Sequence, residues 1–308
     1  MISFRFHLVS LVAVFLALGL GVLTGTTVLN RGIVAQLERQ TDQLVRGSDD
    51  LREDVRRLEE RDDMWSAFGD SVMTPLVSGR LTNRPVLIVT QEGTDENSID
   101  GAQAVLEDAG AEIRALLSVS GRMGLAAPAD REALAEVIGE QITDPEALLA
   151  RAAEVLAERL AFGPNGNTDV LAGLLREGLV VDQGPQLDEA ALRELGGPDQ
   201  PVVVVGGGPD PDSLDPSGFL VPLTRVMAEA GLDIAAAEPM DLGEAGQPFV
   251  EVLRGDGEVS ALIATQDNVD QVPGQIGLVL ALQDLMEGAS GHYGVKDGAS
   301  SAIPELAP

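Results

Sequence analysis

The stretch QPVVVVGGG, Gln200–Gly208, decides how the folded part of this chain is built. Four successive valines opened by a proline and closed by three glycines are too few for a helix, and the β-branched run suits a strand. No polar residue alternates with the valines, so the strand has no wet face. Strands of that kind belong to parallel sheets covered by helices on both sides.

Moving outward, the same pattern recurs. RPVLIVT, Arg84–Thr90, reads as a buried strand; QEGTDENS is a loop, IDGAQAVLEDAG a helix ending at Gly110, and AEIRALLSVS a second strand, giving one βαβ unit. Past Gly208, PSGFLVPLTRVMAEAG reads as a helix, DIAAAEPM and VSALIATQ as short strands, and VPGQIGLVLALQDLMEG as a closing helix. Between Pro128 and about Leu195, EALAEVIGEQI, PEALLARAAEVLAERL and TDVLAGLLREGLV form a helical insert. The expected class is α/β, an open and mostly parallel sheet with helices on both faces. It is expected to fill residues 84–290, followed by a flexible, Gly-, Ala- and Pro-rich tail over 291–308.

The first 30 residues are of another kind. LVSLVAVFLALGLGVLTGTTVL, Leu8–Leu29, is 22 residues without a charge. As a helix it spans about 33 Å, enough for the hydrocarbon core of a bilayer. A cleaved signal peptide has a shorter apolar run, about 7–15 residues, so the reading is an uncleaved single-pass transmembrane anchor over 1–30. Gly21 and Gly25 form a GxxxG pair that permits close helix contact in lipid. Arg5 lies before the anchor and Arg31, Arg39 and Arg46 after it, so basic residues alone do not choose an orientation.

A stalk over 31–68 follows. Leu37, Leu44, Leu51, Leu58 and Trp65 recur every seven residues, and Val34, Thr41, Ser48, Val55 and Asp62 occupy the companion positions. This narrow seam, with Val34 and Val55 as its apolar companions, predicts a coiled coil. Self-association into a homodimer is the simplest reading. A helix folded onto its own domain and a coil with another protein are the alternatives.

The chain has 308 residues, 20 basic and 50 acidic, for a net charge of −30, and Lys296 is its only lysine. Residues 66–308 hold 12 basic and 40 acidic side chains. Such a surface repels nucleic acid and anionic headgroups. There is no cysteine, hence no disulfide, thiolate metal site or cysteine nucleophile.

Catalytic signals are sparse. The two histidines, His7 and His292, lie near the anchor and in the tail, which leaves a Ser-His-Asp arrangement without support. The glycines Gly206, Gly207 and Gly208 resemble part of a phosphate cradle, yet they lack GxGxxG spacing and meet Pro209 at once. A tight turn accounts for them equally. Glu92, Asp95, Glu96, Asp210, Asp212, Asp215, Asp267 and Asp270 fall in loops at strand ends and offer oxygen ligands for a hard cation, although so acidic a chain produces such groupings by chance. Met64, Met73, Met123, Met227, Met240 and Met286 are scattered, without an M-x-x-M cluster. The reading is a non-enzyme with no cofactor and no assignable metal ligands.

MISFRFHLVSLVAVFLALGLGVLTGTTVL, the Arg-rich coil behind it, the strand RPVLIVT and the motif GHYGVKDGAS together resemble the actinobacterial MctB family of copper transport proteins, nearly end to end. The resemblance implies a cell-envelope protein supporting copper efflux or tolerance, with its C-terminal domain outside the cytoplasm; some accounts describe an outer-membrane channel. Members are also linked to daughter-cell separation, through a coiled coil that acts on an envelope partner controlling a peptidoglycan hydrolase. The strands here are short and continuously apolar, unlike the roughly 10-residue alternating strands of an outer-membrane barrel.

Overall fold

The computed structural model describes residues 4–164, 169–184, 187–211, 213–244 and 246–305; the side chains of 4, 5, 26–39, 62 and 70 lie outside that description. Two compact units divide between Trp65 and Ser66. Helix α1, Phe4–Val77, supplies the first unit and the opening turns of the second. In the first unit its charged faces carry intrahelical pairs, Arg52 with Asp49 at 3.0 Å and Arg57 with Asp54 at 2.5 Å. Each such pair adds a few tenths of a kcal/mol to a helix.

Among its described residues the second unit has seven strands: β1 (Pro85–Gln91), β2 (Glu112–Val119), β3 (Val180–Asp182), β4 (Val202–Val205), β5 (Ile234–Glu238), β6 (Ala264–Asp267) and β7 (His292–Tyr293). Between β1 and β2 lies α2 (Glu96–Asp108). Helices α3 (Pro128–Ile138), α4 (Pro145–Phe162) and α5 (Val170–Glu177) precede β3, and α6 (Glu189–Glu194) precedes β4. Then come α7 (Leu220–Glu229), α8 (Val250–Gly255), α9 (Gly257–Ser260) and α10 (Val272–Met286). The sheet order is β3-β2-β1-β4-β5-β6-β7, parallel throughout except for β3 against β2.

Period-2 alternation sends neighbouring side chains to opposite faces, and both faces are dry. Leu87, Val89, Val202 and Val204 enter a cluster with α3, α4, α5 and α7. Val86, Ile88, Val203 and Val205 enter another with α2 and α10. Helix starts consume part of the acidic load: Asp95, Asp144, Asp169 and Asp188 accept backbone N–H groups as N-caps of α2, α4, α5 and α6.

The structure departs from the sequence reading in three places. The segment 128–195, read as helical, contributes an antiparallel edge strand: Val180 and Val181 pair with Val119 and Ser118. Residues 66–83 are part of the second unit, because Met73, Leu76, Val77 and Leu81 complete the cluster under α2 and α10. Composition suggested a loose tail from Gly291, but His292 and Tyr293 join the sheet beside Thr265 and Gln266, and Gly294–Ser301 are bound to the ends of β5 and β6. Polar contacts between residues distant in sequence, invisible to a composition argument, hold that segment.

Because both faces are packed, Leu87→Ala and Ile88→Ala are each expected to lower stability by about 2–5 kcal/mol, despite pointing oppositely. Urea denaturation of the full chain in detergent measures this. A sheet with one wet face would lose stability at only one of the two positions.

Candidate functional site

Open α/β sheets receive ligands beyond the C-terminal ends of their strands, at the point where the connections diverge. Here that point lies between β1 and β4, since α2 covers one face and α7 the other. The chain's own backbone closes it. Asp95 N–H donates to Gly207 O at 3.2 Å. A Cβ on Gly208 would stand 1.9 Å from Gly93 O, and one on Gly206 would enter the Phe249 ring. Gly208 therefore serves close backbone approach, Gly206 leaves room for the Phe249 ring, and Gly207 turns the chain at φ +78°. What remains is a crevice of about 360 Å³ whose charged lining is Glu92, Asp210 and Asp215, the wrong sign for phosphate.

The loop carboxylates are taken up separately. Glu92 accepts Gly121 N–H at 2.6 Å, Asp95 caps α2, Asp215 accepts Ser217 N–H at 2.8 Å and Asp270 accepts Met240 N–H at 2.7 Å. Glu96 opens α2, Asp267 lies at the end of β6, and Asp212 falls outside the described residues. Among the described residues no three His, Asp or Glu side chains gather as a metal site.

The densest polar chemistry sits at the ends of β5 and β6, where Glu238 and Asp267 are fully buried. Arg254 on α8 lies 2.8 Å from Asp267 Oδ2, donates to Thr265 Oγ1 at 2.8 Å, and donates to the carbonyls of Tyr293 and Asp297 at 2.6 and 3.2 Å. Asp267 also accepts the N–H groups of Val295 and Lys296 at 2.6 and 3.2 Å. Lys296 Nζ lies 3.0 Å from Glu238 Oε1 and donates to Pro239 O at 2.7 Å. The other oxygen of Glu238 takes the Phe249 and Val250 N–H groups at the start of α8, at 2.9 and 3.0 Å. Two acids and two bases thus balance with their hydrogen bonds made, as burial of charge requires. Sequence reasoning missed this cluster. Its one legible signal was a solitary lysine inside GHYGVKDGAS.

The soft ligands are dispersed. Met123 and Met227 are buried in one core cluster, Met73 and Met286 border the other, Met64 is exposed on α1, and Met240 Sδ accepts from Gln271 at 3.1 Å. His292 Nδ1 is engaged by Thr265 Oγ1 at 3.0 Å.

In the first unit, no described atom lies within 4 Å of where a Cβ on Gly21 or Gly25 would stand. Leu44, Leu51, Val55, Leu58 and Trp65 are exposed, 51–75 %. The side chains of Val34 and Leu37 lie outside the description. Among the described residues one stretch, Phe6–Gly25, is long and apolar enough to cross a membrane, and none of it is buried.

Comparison with known proteins follows the whole chain. A family model described as "Copper transport outer membrane protein, MctB" matches residues 1–304. Proteins named copper transporter MctB from Mycobacterium tuberculosis and Mycobacterium bovis are each 27 % identical over 319 residues, covering 98 % of both chains. The protein of that name from Mycobacterium leprae is 25 % identical over 324 residues, covering 99 % of this chain and all of its own.

Removing one member of the balanced cluster leaves an uncompensated buried charge. Arg254→Met is expected to destabilise the second unit by about 3–5 kcal/mol. Arg254→Met combined with Asp267→Asn should recover part of that loss, and thermal unfolding of both variants tests it.

Proposed function

The chain belongs to the MctB family, and from that premise we propose that it supports copper efflux or tolerance from the cell envelope. It is held by Leu8–Leu29 as a single-pass anchor, with the sheet domain outside the cytoplasm. The observation that carries this reading is the match over residues 1–304, which joins the apolar helix and the sheet domain in one family. Relatives carrying the name copper transporter support copper as cargo and favour a non-enzymatic role.

The part it plays is an auxiliary one. The β-sheet is open, with strands of two to eight residues, shorter than the 9–11 a membrane barrel uses. The anchor offers only Ser10, Thr24, Thr26 and Thr27 as polar side chains, too few to line a pore as a single copy. Copper(I) prefers thiolate, thioether and imidazole ligands, and those present here are spread through cores and loops.

A second reading rests on α1. The exposed residues Leu44, Leu51, Val55, Leu58 and Trp65 keep heptad spacing, and Val34 and Leu37 continue it in sequence. In this reading they form a coiled-coil seam through which two copies associate, Gly21 and Gly25 packing the anchors, and the stalk acts as a scaffold on an envelope partner in cell separation.

Deleting the gene and scoring copper sensitivity beside cell separation distinguishes the two. Copper sensitivity with normal separation is the outcome expected of the first reading; chained cells with unchanged copper tolerance would replace it with the second. For the seam, Leu44→Ala with Leu51→Ala is expected to convert a detergent-solubilised dimer to monomer. Unchanged size by light scattering and unchanged cross-linking would remove the seam as the interface.

A further inference from the structure

The segment Gly291–Ser301 is attached mainly through polar contacts. Tyr293 packs beside Ala264, Ala281 and Leu285, while Val295 stands exposed. The rest of the hold is the pairing of His292 and Tyr293 with Thr265 and Gln266 of β6, where Thr265 N–H donates to Gly291 O at 3.0 Å, together with Asp267 accepting two backbone N–H groups, Arg254 donating to two carbonyls, and Lys296 reaching Glu238 and Pro239. Gly294, at φ +128°, lies so close that a Cβ would stand 2.1 Å from the Asp267 carboxylate. A segment with few apolar contacts opens locally at low cost, and its attachment depends in part on the charge of the groups beneath it.

His292 is the group among these that titrates nearest neutrality. Its Nδ1 lies 3.0 Å from Thr265 Oγ1, the hydroxyl that receives Arg254 Nε at 2.8 Å. A guanidinium only donates, so the Thr265 oxygen accepts from Arg254, and its second lone pair and its own proton leave it able either to receive from Nδ1 or to donate to it. Protonation of the ring places a second positive charge beside the guanidinium, across one shared hydroxyl.

We propose that Gly291–Ser301 is an acid-released latch over the ends of β5 and β6, with His292 as its trigger. The charged groups facing the trigger are Arg254 from α8 and, through it, Asp267 of β6; the latch itself brings Lys296 and Asp297, and Asp284 of α10 acts on neighbouring Tyr293. Burial and then Arg254 hold the His292 pKa below its ordinary value, with a hydrogen bond to the Ser260 backbone opposing them. The attached state thus binds fewer protons than the released state. The contribution of neutral His292 to attachment is complete above about pH 6.5 and is lost as pH falls from there through the lower pKa of the attached form, which weakens the attachment. Release uncovers Glu238 and Asp267 at the C-terminal ends of β5 and β6.

Hydrogen exchange by mass spectrometry on the full chain in detergent, corrected for intrinsic rates, tests this between about pH 7.5 and about pH 5.5. Peptides covering 291–301 should lose protection severalfold at the lower pH while β1 and β4 keep theirs, and His292→Gln, with His292→Asn as a second neutral replacement, should abolish the change. Equal latch protection at both pH values overturns the proposal. So does simultaneous loss in β1 and β4, or a pH response that survives in a folded His292 variant.

Discussion

Val202–Val205 are buried from above and below, and every element around them answers to that. A parallel sheet with two dry faces needs a helix layer on each. The layers here are α3, α4, α5 and α7 on one side, and α2 with α10 and the last turns of α1 on the other. Crossover connections of this kind place loops, rather than strands, at the sheet's carboxyl ends, and there the polar chemistry collects.

Those ends are used in two different ways. Between β1 and β4 the loops lie directly on one another, Gly93 against Gly208 and Asp95 against Gly207, so the usual ligand position is filled by backbone. Above β5 and β6 the position is filled by side chains and by the chain's own closing segment. Glu238 and Asp267 tolerate full burial because Arg254 and Lys296 arrive from α8 and from the closing segment with hydrogen bonds to every charged group.

The other surface is α1 before Ser66. Its apolar side chains are exposed in two patterns: along Phe6–Gly25, long and apolar enough to cross a membrane, and at Leu44, Leu51, Leu58 and Trp65, spaced by seven residues among paired charges.

By itself the sequence determined what local pattern controls. The apolar run Leu8–Leu29, the heptad spacing from Leu37 to Trp65, the strands RPVLIVT and QPVVVVGGG and the helices between them are read from period and composition, because burial on one face or two imprints itself on neighbouring residues. Tertiary structure alone decided what depends on residues distant in sequence. That Val180–Asp182 is an edge strand follows from pairing with β2 across about 60 residues, and that residues 66–83 belong to the core follows from packing under α2 and α10. That Gly291–Ser301 is bound follows from Arg254, Asp267 and Glu238, whose burial no local pattern announces. Local periodicity encodes which face of an element is dry; it carries no record of which distant charge will be brought to neutralise a buried one.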